Sequence, residues 1–244
     1  MFEEFKNHGI TESTPQEIML GVGTIHKNLQ YGYYLLTAQP ADWTTNYSRY
    51  YSKTTENNVA TYTPLSSAPT FATGTYYVKR WNAQETIIGA TSGGGKFSIV
   101  PDIKRVEVDG ANVATKGLDV KIGEKATLEA SFVEYTPDRI KELAIGRNGT
   151  AVINGLTVDG YSVIESKPNI EDSDYADNVA FVGKRLDGSP IIIVMDNALC
   201  TSGFESDRKP KDNAVTKAVY ECYQEIDKDL TTLPWRVYYP TPAA

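Results

Sequence analysis

The chain has 244 residues and a net charge of −7, from 24 basic and 31 acidic residues. The length allows one or two domains, and the acidic balance argues against tight, general binding to nucleic-acid phosphates. The longest apolar run, Ile191–Met195, is far shorter than the roughly 20 residues that span a bilayer. The N-terminus also lacks the basic and apolar stretches of a secretory signal. We therefore expect no membrane partner and synthesis in a cytoplasm.

The two cysteines, Cys200 and Cys222, have no thiol or histidine near them at the spacing of a zinc site. In a cytoplasm both thiols are expected to stay reduced. A disulfide between them is the open alternative.

Three zones of the chain differ in composition. Residues 1–30 hold a helix-capping pattern at Ser13–Pro15 and then a glycine-flanked apolar segment, which we interpret as an N-terminal arm leading into the first strand, with a short helical turn as the alternative. Residues 31–86 contain nine of the sixteen tyrosines, two of the three tryptophans and only seven charged residues, so they predict a small inserted β-module. Residues 87–244 complete the main domain.

Apolar and polar residues alternate regularly after Ile87. One face of the segment 125–136 holds Ala126, Leu128, Ala130 and Phe132, and the other holds Lys125, Thr127, Glu129 and Ser131. Val106 and Val108 alternate with charged residues in the same way, as do Leu118, Val120 and Ile122 with Asp119 and Lys121. This period of two predicts strands with one buried and one solvent-facing side.

Further strands are predicted where β-forming residues lie between turn signals, at 150–157, 161–166, 179–183, 191–195, 214–226 and 235–239. Asp187–Ser189 predicts a hairpin turn, and 201–213 reads as a loop. One short helix is predicted, with Thr136 as its cap, Pro137 at its first position and Gly146 as its stop.

No catalytic, cofactor or metal site emerges. His8 and His26 are the only histidines, and we assign them to the surface or to packing. The run Gly93–Lys96 lacks the other residues of a phosphate-binding loop, so we interpret it as a flexible turn or loop. The acidic segment 171–177 lacks the glycine and terminal glutamate of a calcium loop, and we expect a solvated loop there. We therefore predict that the chain is not an enzyme.

The aromatic residues of 31–86 allow two interpretations. They form the core of a small module, which we favour, or they stack on sugar rings at an exposed surface.

The ordered segments Ile18–Asn28, Gly89–Gly110, Lys125–Ile145, Asp174–Leu199 and Lys211–Pro240 resemble the major tail, or tail tube, proteins of bacteriophages that infect Gram-positive bacteria. The resemblance lies in an LG-x-G strand, a GAT-x-GG turn, a strand ending in an acid-glycine turn, a strand that runs into a helix, and a Leu-Pro-Trp ending. Residues 31–86 depart from that pattern. Their Pro-x-Asp-Trp-x-Thr-Asn-Tyr and Ala-Pro-Thr-x-Ala segments resemble small modules inserted in tail proteins of gut phages.

The resemblance implies a β-sandwich or barrel of the tail-tube fold with one short helix. It also implies hexameric rings, stacked into a tube whose lumen conducts DNA during ejection. The partners implied are further copies of the chain, the tape measure protein and transient DNA in the lumen, and tail terminator and distal tail proteins at the ends. The chain would then be part of the virion tail, assembled in the host cytoplasm.

The residues agree with this expectation in two respects. Strands with exposed edges need neighbours, which a closed multi-subunit barrel supplies, and six copies would give each ring a charge of −42, which suits a duct for DNA. We predict that the polar faces of the strands line the lumen, through Asp119, Lys121, Lys125, Thr127, Glu129 and Ser131. The inserted module should lie on the outer surface, because inside the tube it would block DNA.

Two alternatives stand beside this hypothesis. The inner tube of a contractile tail or tailocin would have a similar subunit. A monomeric carbohydrate-binding β-sandwich is the alternative of another class, suggested by the aromatic module.

Overall fold

The computed structural model describes residues 18–110, 113–206 and 214–241. The predicted arm and helix cap within residues 1–17, and residues 207–213 of the predicted loop, lie outside the described residues. The chain divides into two compact units. The inserted unit is 29–86, two residues longer at its start than the predicted module, and the main unit combines residues 1–28 with 87–244.

The predicted fold class, mainly β with one short helix, is confirmed for the described residues. In chain order the strands are β1 (Met19–Lys27), β2 (Tyr31–Leu35), β3 (Tyr50–Glu56), β4 (Val59–Pro64), β5 (Tyr76–Trp81), β6 (Thr91–Arg105), β7 (Asp119–Phe132), β8 (Gly146–Gly149), β9 (Val152–Ile153), β10 (Leu156–Thr157), β11 (Val163–Ser166), β12 (Ala176–Arg185), β13 (Pro190–Cys200), β14 (Thr216–Cys222) and β15 (Trp235–Tyr238). The helix α1 (Pro137–Ala144) follows β7, and short 3-10 turns occur at Tyr47–Arg49, Phe71–Thr73 and Asp172–Asp174.

The main unit is built on one antiparallel sheet with the strand order β1-β12-β13-β14-β7-β6, in which β15 also pairs with the first half of β13. The two ends of this order approach each other. The Ile88 amide donates to the Ile25 carbonyl at 2.9 Å, and His26 pairs with Ile87. The sheet therefore curls until β1 meets the segment that leads into β6.

The core of the main unit lies inside this curled sheet. The apolar positions of β7 that the alternation predicted are all buried: Ala126, Leu128, Ala130 and Phe132. They pack with side chains of β13 and β14, including Met195, Ala218 and Tyr220. Both cysteines are buried here as free thiols, and burial raises the pKa of Cys222 to about 12, so the thiol is protonated at neutral pH. His26 is buried as well.

Helix α1 begins as its sequence predicted. The Thr136 side chain accepts a hydrogen bond from the Arg139 amide at 3.2 Å, and Pro137 occupies the first turn. The predicted stop at Gly146 is wrong by one residue, because Ile145 takes the left-handed conformation with φ 47°. Gly146 instead begins β8, where a Cβ would lie 2.9 Å from the Ile164 Cγ2. A glycine is therefore needed at this position for the close approach of β11, and it does not terminate the helix.

Two predicted segments fold differently. The predicted strand 150–157 is a hairpin, because Asn154 and Gly155 both take positive φ and turn the chain between β9 and β10. The glycine run Gly93–Gly95, predicted as a flexible turn or loop, lies inside β6. Its irregularity is a shift in the pairing with β7 between Thr91 and Gly95, which the positive φ of Gly93 and Gly94 permits.

The inserted unit is a four-stranded antiparallel sheet with the order β2-β5-β3-β4. Its small core contains Trp43, Tyr50 and Tyr76, with Phe71 and Val78 packed against them. The Trp43 Nε1 donates to the Pro69 carbonyl at 2.8 Å, so its buried polar atom is satisfied. The favoured interpretation of the aromatic residues as a core thus holds for these side chains, while others lie on the opposite face of the sheet.

Arg139 joins α1 to the main sheet. Its guanidinium donates to the Tyr220 hydroxyl at 2.7 Å and to the Ile88 carbonyl at 2.9 Å, and it lies 4.3 Å from the centroid of the Phe132 ring. The side chain is only 8% exposed, and Glu142 balances its charge at 3.4 Å. The residue therefore connects the helix, the core and the start of β6.

Replacing Arg139 with Ala should lower the free energy of unfolding by about 3 kcal/mol, because the Tyr220 hydroxyl, the Ile88 carbonyl and the Glu142 carboxylate each lose a charged donor. Urea unfolding followed by far-UV circular dichroism measures the change. The matched control is Lys141→Ala on the same helix, whose ion pair with Asp138 is largely exposed, and it should change stability by about 0.5 kcal/mol or less. Equal effects of the two variants would contradict the role assigned to Arg139.

Candidate functional site

The hairpin of β6 and β7 is the most unusual feature of the main unit. Its strands have 15 and 14 residues, and only the end near Phe97 and Phe132 packs into the core. We call the other end, residues 100–105 of β6 and 119–124 of β7, the distal hairpin. No strand in the described part of the chain pairs with the outer edge of β6.

The distal hairpin carries exposed aliphatic side chains. Val100, Ile103, Val120 and Ile122 are between 49% and 59% exposed. The prediction of a buried face for Val120 and Ile122 is therefore wrong within a single chain. It is also wrong for Val106 and Val108, which follow the end of β6 and are exposed. The physical reason differs between the two faces of the hairpin. Ile103 lies on the core side, beyond the sheet that covers the inner face of β7. Val100 and Val120 lie on the opposite face, where no described element packs over them.

A bulge in β7 reverses the faces of the distal hairpin. Asp102 pairs with Gly123 and Ile103 pairs with Lys121, so Ile122 has no partner on β6. Directly paired residues share a face, and adjacent residues on β6 point to opposite faces. Side chains of β7 before the bulge therefore change sides relative to those after it.

The six residues predicted to line a lumen fall into two groups as a result. Lys125, Thr127, Glu129 and Ser131 share the face opposite the core, which we call the outer ladder. Asp119 and Lys121 lie on the other face of the hairpin, which continues the core side. The sequence pattern missed the bulge, since Gly123 is its only local signal.

Ion pairs organise the outer ladder across three strands. The Lys217 Nζ on β14 lies 2.6 Å from the Glu129 Oε2, and the Lys125 Nζ lies 2.9 Å from the Glu221 Oε2. The hydrogen bond from Lys217 lowers the pKa of Glu129, and the hydrogen bond to Glu221 raises the pKa of Lys125. Lys96 pairs with Glu129 from β6. The ladder thus contains three lysines and two glutamates, so the net negative charge of the chain lies elsewhere.

The second group is held by its own pairs. The Arg105 Nε donates to Asp119 at 3.2 Å, and the Lys121 Nζ lies 2.5 Å from the Glu124 Oε2. Glu124, which the sequence reading missed, has a side chain only 7% exposed. Its other oxygen accepts hydrogen bonds from the Leu233 amide at 3.0 Å and from the Trp235 Nε1 at 3.4 Å. It therefore attaches the segment that enters β15 to the base of the distal hairpin.

The acidic segment 171–177 is more ordered than the predicted solvated loop. Asp174 ends a 3-10 turn and lies 2.6 Å from the Lys167 Nζ, and the two side chains are only 15% and 8% exposed. Within the described ranges, no group of three or more His, Cys, Asp and Glu side chains is placed to hold a metal ion. No described helix is long and apolar enough to cross a membrane.

The fold and this site define a mainly-β protein with a projecting, partly apolar hairpin and an inserted aromatic unit. A scan of the chain against protein-family models gives no match, and a search of curated protein sequences gives none either. Function must therefore be inferred from the geometry of the chain and from the resemblance of its segments.

Replacing Glu124 with Gln should destabilise the main unit at neutral pH by about 1–2 kcal/mol, because charged hydrogen bonds become neutral ones. The bond from Lys121 is the main cause that lowers the pKa of Glu124 below its ordinary value of 4.5. A lowered pKa gives stability that is complete above about pH 4.5 and is lost as the pH falls through the pKa of the folded state. The difference between wild type and variant should therefore shrink in acid, as urea unfolding at a series of pH values measures.

Glu225→Gln is the control for this pH series. The Glu225 carboxylate is largely exposed and lies 3.8 Å from the Lys228 Nζ. Its replacement should leave stability unchanged within about 0.5 kcal/mol at every pH. A Glu124→Gln effect that does not vary with pH would refute the electrostatic origin.

Proposed function

We propose that the chain is the repeating structural subunit of a bacteriophage tail tube, which forms stacked hexameric rings around a lumen that conducts DNA. The segments that resemble tail tube proteins include β1, β6, β7, α1 and β12 to β14, so the resemblance covers the same elements that build the main unit. The observation that carries the proposal is the distal hairpin, whose outer edge and exposed aliphatic side chains no other described residues of the chain cover.

The outer edge of β6 supports assembly with identical copies. A 15-residue edge presents a row of unpaired amide and carbonyl groups, and proteins ordinarily cover, shorten or interrupt such an edge. The charged residues of β6 on the outer-ladder side are Lys96, Asp102 and Lys104, and they leave most of the strand open. Pairing with a neighbouring copy would satisfy these groups and extend the sheet.

The exposed aliphatic side chains support a second contact. Val120 and Ile122 lie on one strand of the distal hairpin, with Val100 and Ile103 on the other. Burying one such side chain contributes about 1.5–3 kcal/mol. A surface patch that docks on a different patch of the next copy makes a heterologous contact, and such contacts close into rings or continue as filaments. A tube of stacked rings contains both kinds of contact: one closes each ring, and the other continues from ring to ring along the tube.

The outer ladder suits a surface past which DNA slides. Two of its three lysines, Lys125 and Lys217, form ion pairs with glutamates, so they are less available for phosphate contacts, which dominate nucleic-acid affinity. The inserted unit would lie on the outside of the tube, because 58 residues inside the lumen would block DNA. Tape measure, terminator and distal tail proteins would be the other partners, and the virion tail the location.

The inner tube of a contractile tail or tailocin is the nearest alternative, and a sheath around the tube in electron micrographs would identify it. A monomeric carbohydrate-binding protein is the alternative of another class, and the aromatic face of the inserted unit is the observation in its favour. The two classes differ in the state of the purified chain, which is a ring or tube in one case and a monomer in the other.

Replacing Ile122 with Lys should abolish assembly while leaving the subunit folded, because a buried, unpaired ammonium at each interface costs several kcal/mol. Negative-stain electron microscopy of the purified wild type should show rings or tubes, and the variant should sediment as a monomer. Its thermal unfolding as a monomer should be unchanged, since Ile122 is 59% exposed within one chain.

Val59→Lys is the matched control, since Val59 is equally apolar and exposed but lies on β4 of the inserted unit. This variant should assemble like the wild type. A wild-type chain that stays monodisperse and single-copy at high concentration would disprove the tube proposal. Assembly by the Ile122 variant would show that the distal hairpin is not at an interface.

A further inference from the structure

One face of the inserted unit carries aromatic side chains that its core does not use. The core residues Tyr50, Tyr76 and Val78 project from one side of the sheet, and their neighbours along β3 and β5 project from the other. We call this second side the tyrosine face. Its aromatic residues are Tyr31, Tyr33, Tyr51, Tyr62, Tyr77 and Trp81.

The rings of the tyrosine face hold one another in place. Tyr33 and Tyr62 stack with their centroids 4.0 Å apart and their planes 2° from parallel. Tyr51 meets the Tyr33 ring edge-on, and Tyr77 meets the Tyr62 ring in the same way. The layer is therefore rigid before any ligand arrives, which lowers the entropic cost of binding.

The tyrosine hydroxyl groups of this layer form no hydrogen bonds with the residues that the structure describes. Five of its tyrosines make no hydrogen bond through the hydroxyl with any described residue: Tyr31, Tyr33, Tyr51, Tyr62 and Tyr77. Each phenol hydroxyl can both donate and accept a hydrogen bond. A ligand rich in hydroxyl groups would match this array.

The charged residues of the tyrosine face are Lys53 and Lys79, and both are exposed. Neither forms an ion pair with a carboxylate of the described residues. The Lys53 Nζ lies 5.9 Å from the Tyr62 centroid, and the Lys79 Nζ lies 5.7 Å from the Tyr33 centroid. Since the other side of each ring is taken by its stacking partner, the tyrosine pair lies between the two ammonium groups.

This arrangement favours an anionic ligand with separated charges. The inserted unit has four basic and three acidic residues, against 20 basic and 28 acidic residues in the rest of the chain. Because the Tyr33 and Tyr62 rings separate them, Lys53 and Lys79 cannot bind the same carboxylate. They can bind carboxylates on different sugars of one polymer. Aromatic surfaces beside them fit the apolar faces of sugar rings.

We propose that the tyrosine face binds an acidic polysaccharide, with the carboxylates of uronic acid units on Lys53 and Lys79 and the sugar rings over the tyrosine layer. Single-stranded nucleic acid is disfavoured because two lysines neutralise few phosphates. This binding goes beyond the proposed tube function and is expected of the chain whether or not it assembles.

The test is affinity electrophoresis and calorimetric titration of the full chain with polygalacturonate. Fully methyl-esterified polygalacturonate keeps the sugar backbone and removes the charge, and oligo(dT) tests the nucleic-acid alternative. We expect polygalacturonate to bind at least about tenfold more tightly than either probe, since each paired charge contributes to affinity.

The double variant Lys53→Gln/Lys79→Gln keeps the aliphatic stems and should weaken polygalacturonate binding at least about tenfold. The matched control is Lys184→Gln, an exposed lysine of β12 in the main unit, which should bind like the wild type. Tyr31→Ala, at a ring that is 53% exposed, should also weaken binding without unfolding the unit. Unchanged circular dichroism spectra establish that the variants are folded.

Three results would overturn the inference. They are no binding of polygalacturonate by the folded wild type, equal binding of the methyl ester or by the double lysine variant, and stronger binding of oligo(dT) than of polygalacturonate. A chain that forms tubes but fails this test loses only the polysaccharide site. A chain that binds polygalacturonate as a monomer loses only the tube.

Discussion

A sheet needs cover on its edges and on its apolar face, and this constraint governs the main unit. Along most of the sheet the chain provides its own cover. The ends of the strand order approach each other through Ile25 and Ile88, and α1 is attached through Arg139. The β6–β7 hairpin is not covered along its whole length, because its strands extend beyond the sheet that packs against their core-facing side. Ile103 is exposed for that reason, whereas Val100 and Val120 lie on the opposite face, and no element among the described residues covers either face of the distal hairpin.

The strand β7 joins two environments, and the bulge at Ile122 lies at the junction. After the bulge, Leu128 and Phe132 build the core and Glu129 belongs to the outer ladder. Before it, the faces exchange, so that Lys121 turns toward the core side and meets Glu124. Glu124 in turn holds the chain that enters β15. At the bulge, β7 stops contributing side chains to the core, and Glu124 keeps the base of the hairpin attached to the segment that enters β15.

The sequence predicted those parts of the fold in which local pattern and burial agree. The alternation of 125–132 and the Thr136–Pro137 helix start are of that kind. It failed where tertiary contacts decide: Gly146 reads as a helix stop, but a close approach to Ile164 requires it and leaves the left-handed residue to Ile145. For the candidate site, the residues of the outer ladder were predictable from period two. The exposure of Val120 and the change of faces at Ile122 were not, because alternation does not reveal a bulge or show where a second layer ends.

The net charge of the chain and the local charge of the outer ladder have different consequences. A chain with −7 suggests an acidic duct, yet the outer ladder is a grid in which Lys125 and Lys217 are matched to Glu221 and Glu129. Such a grid attracts or repels a nearby charged molecule only weakly. The opposite charges of each ion pair largely cancel, and salt screens what remains. The excess of acids therefore bears on solubility and on repulsion between copies at a distance. If DNA passes along this surface, as proposed, its weak attachment would depend on the pairing of most of the ladder's cations rather than on a strongly negative wall.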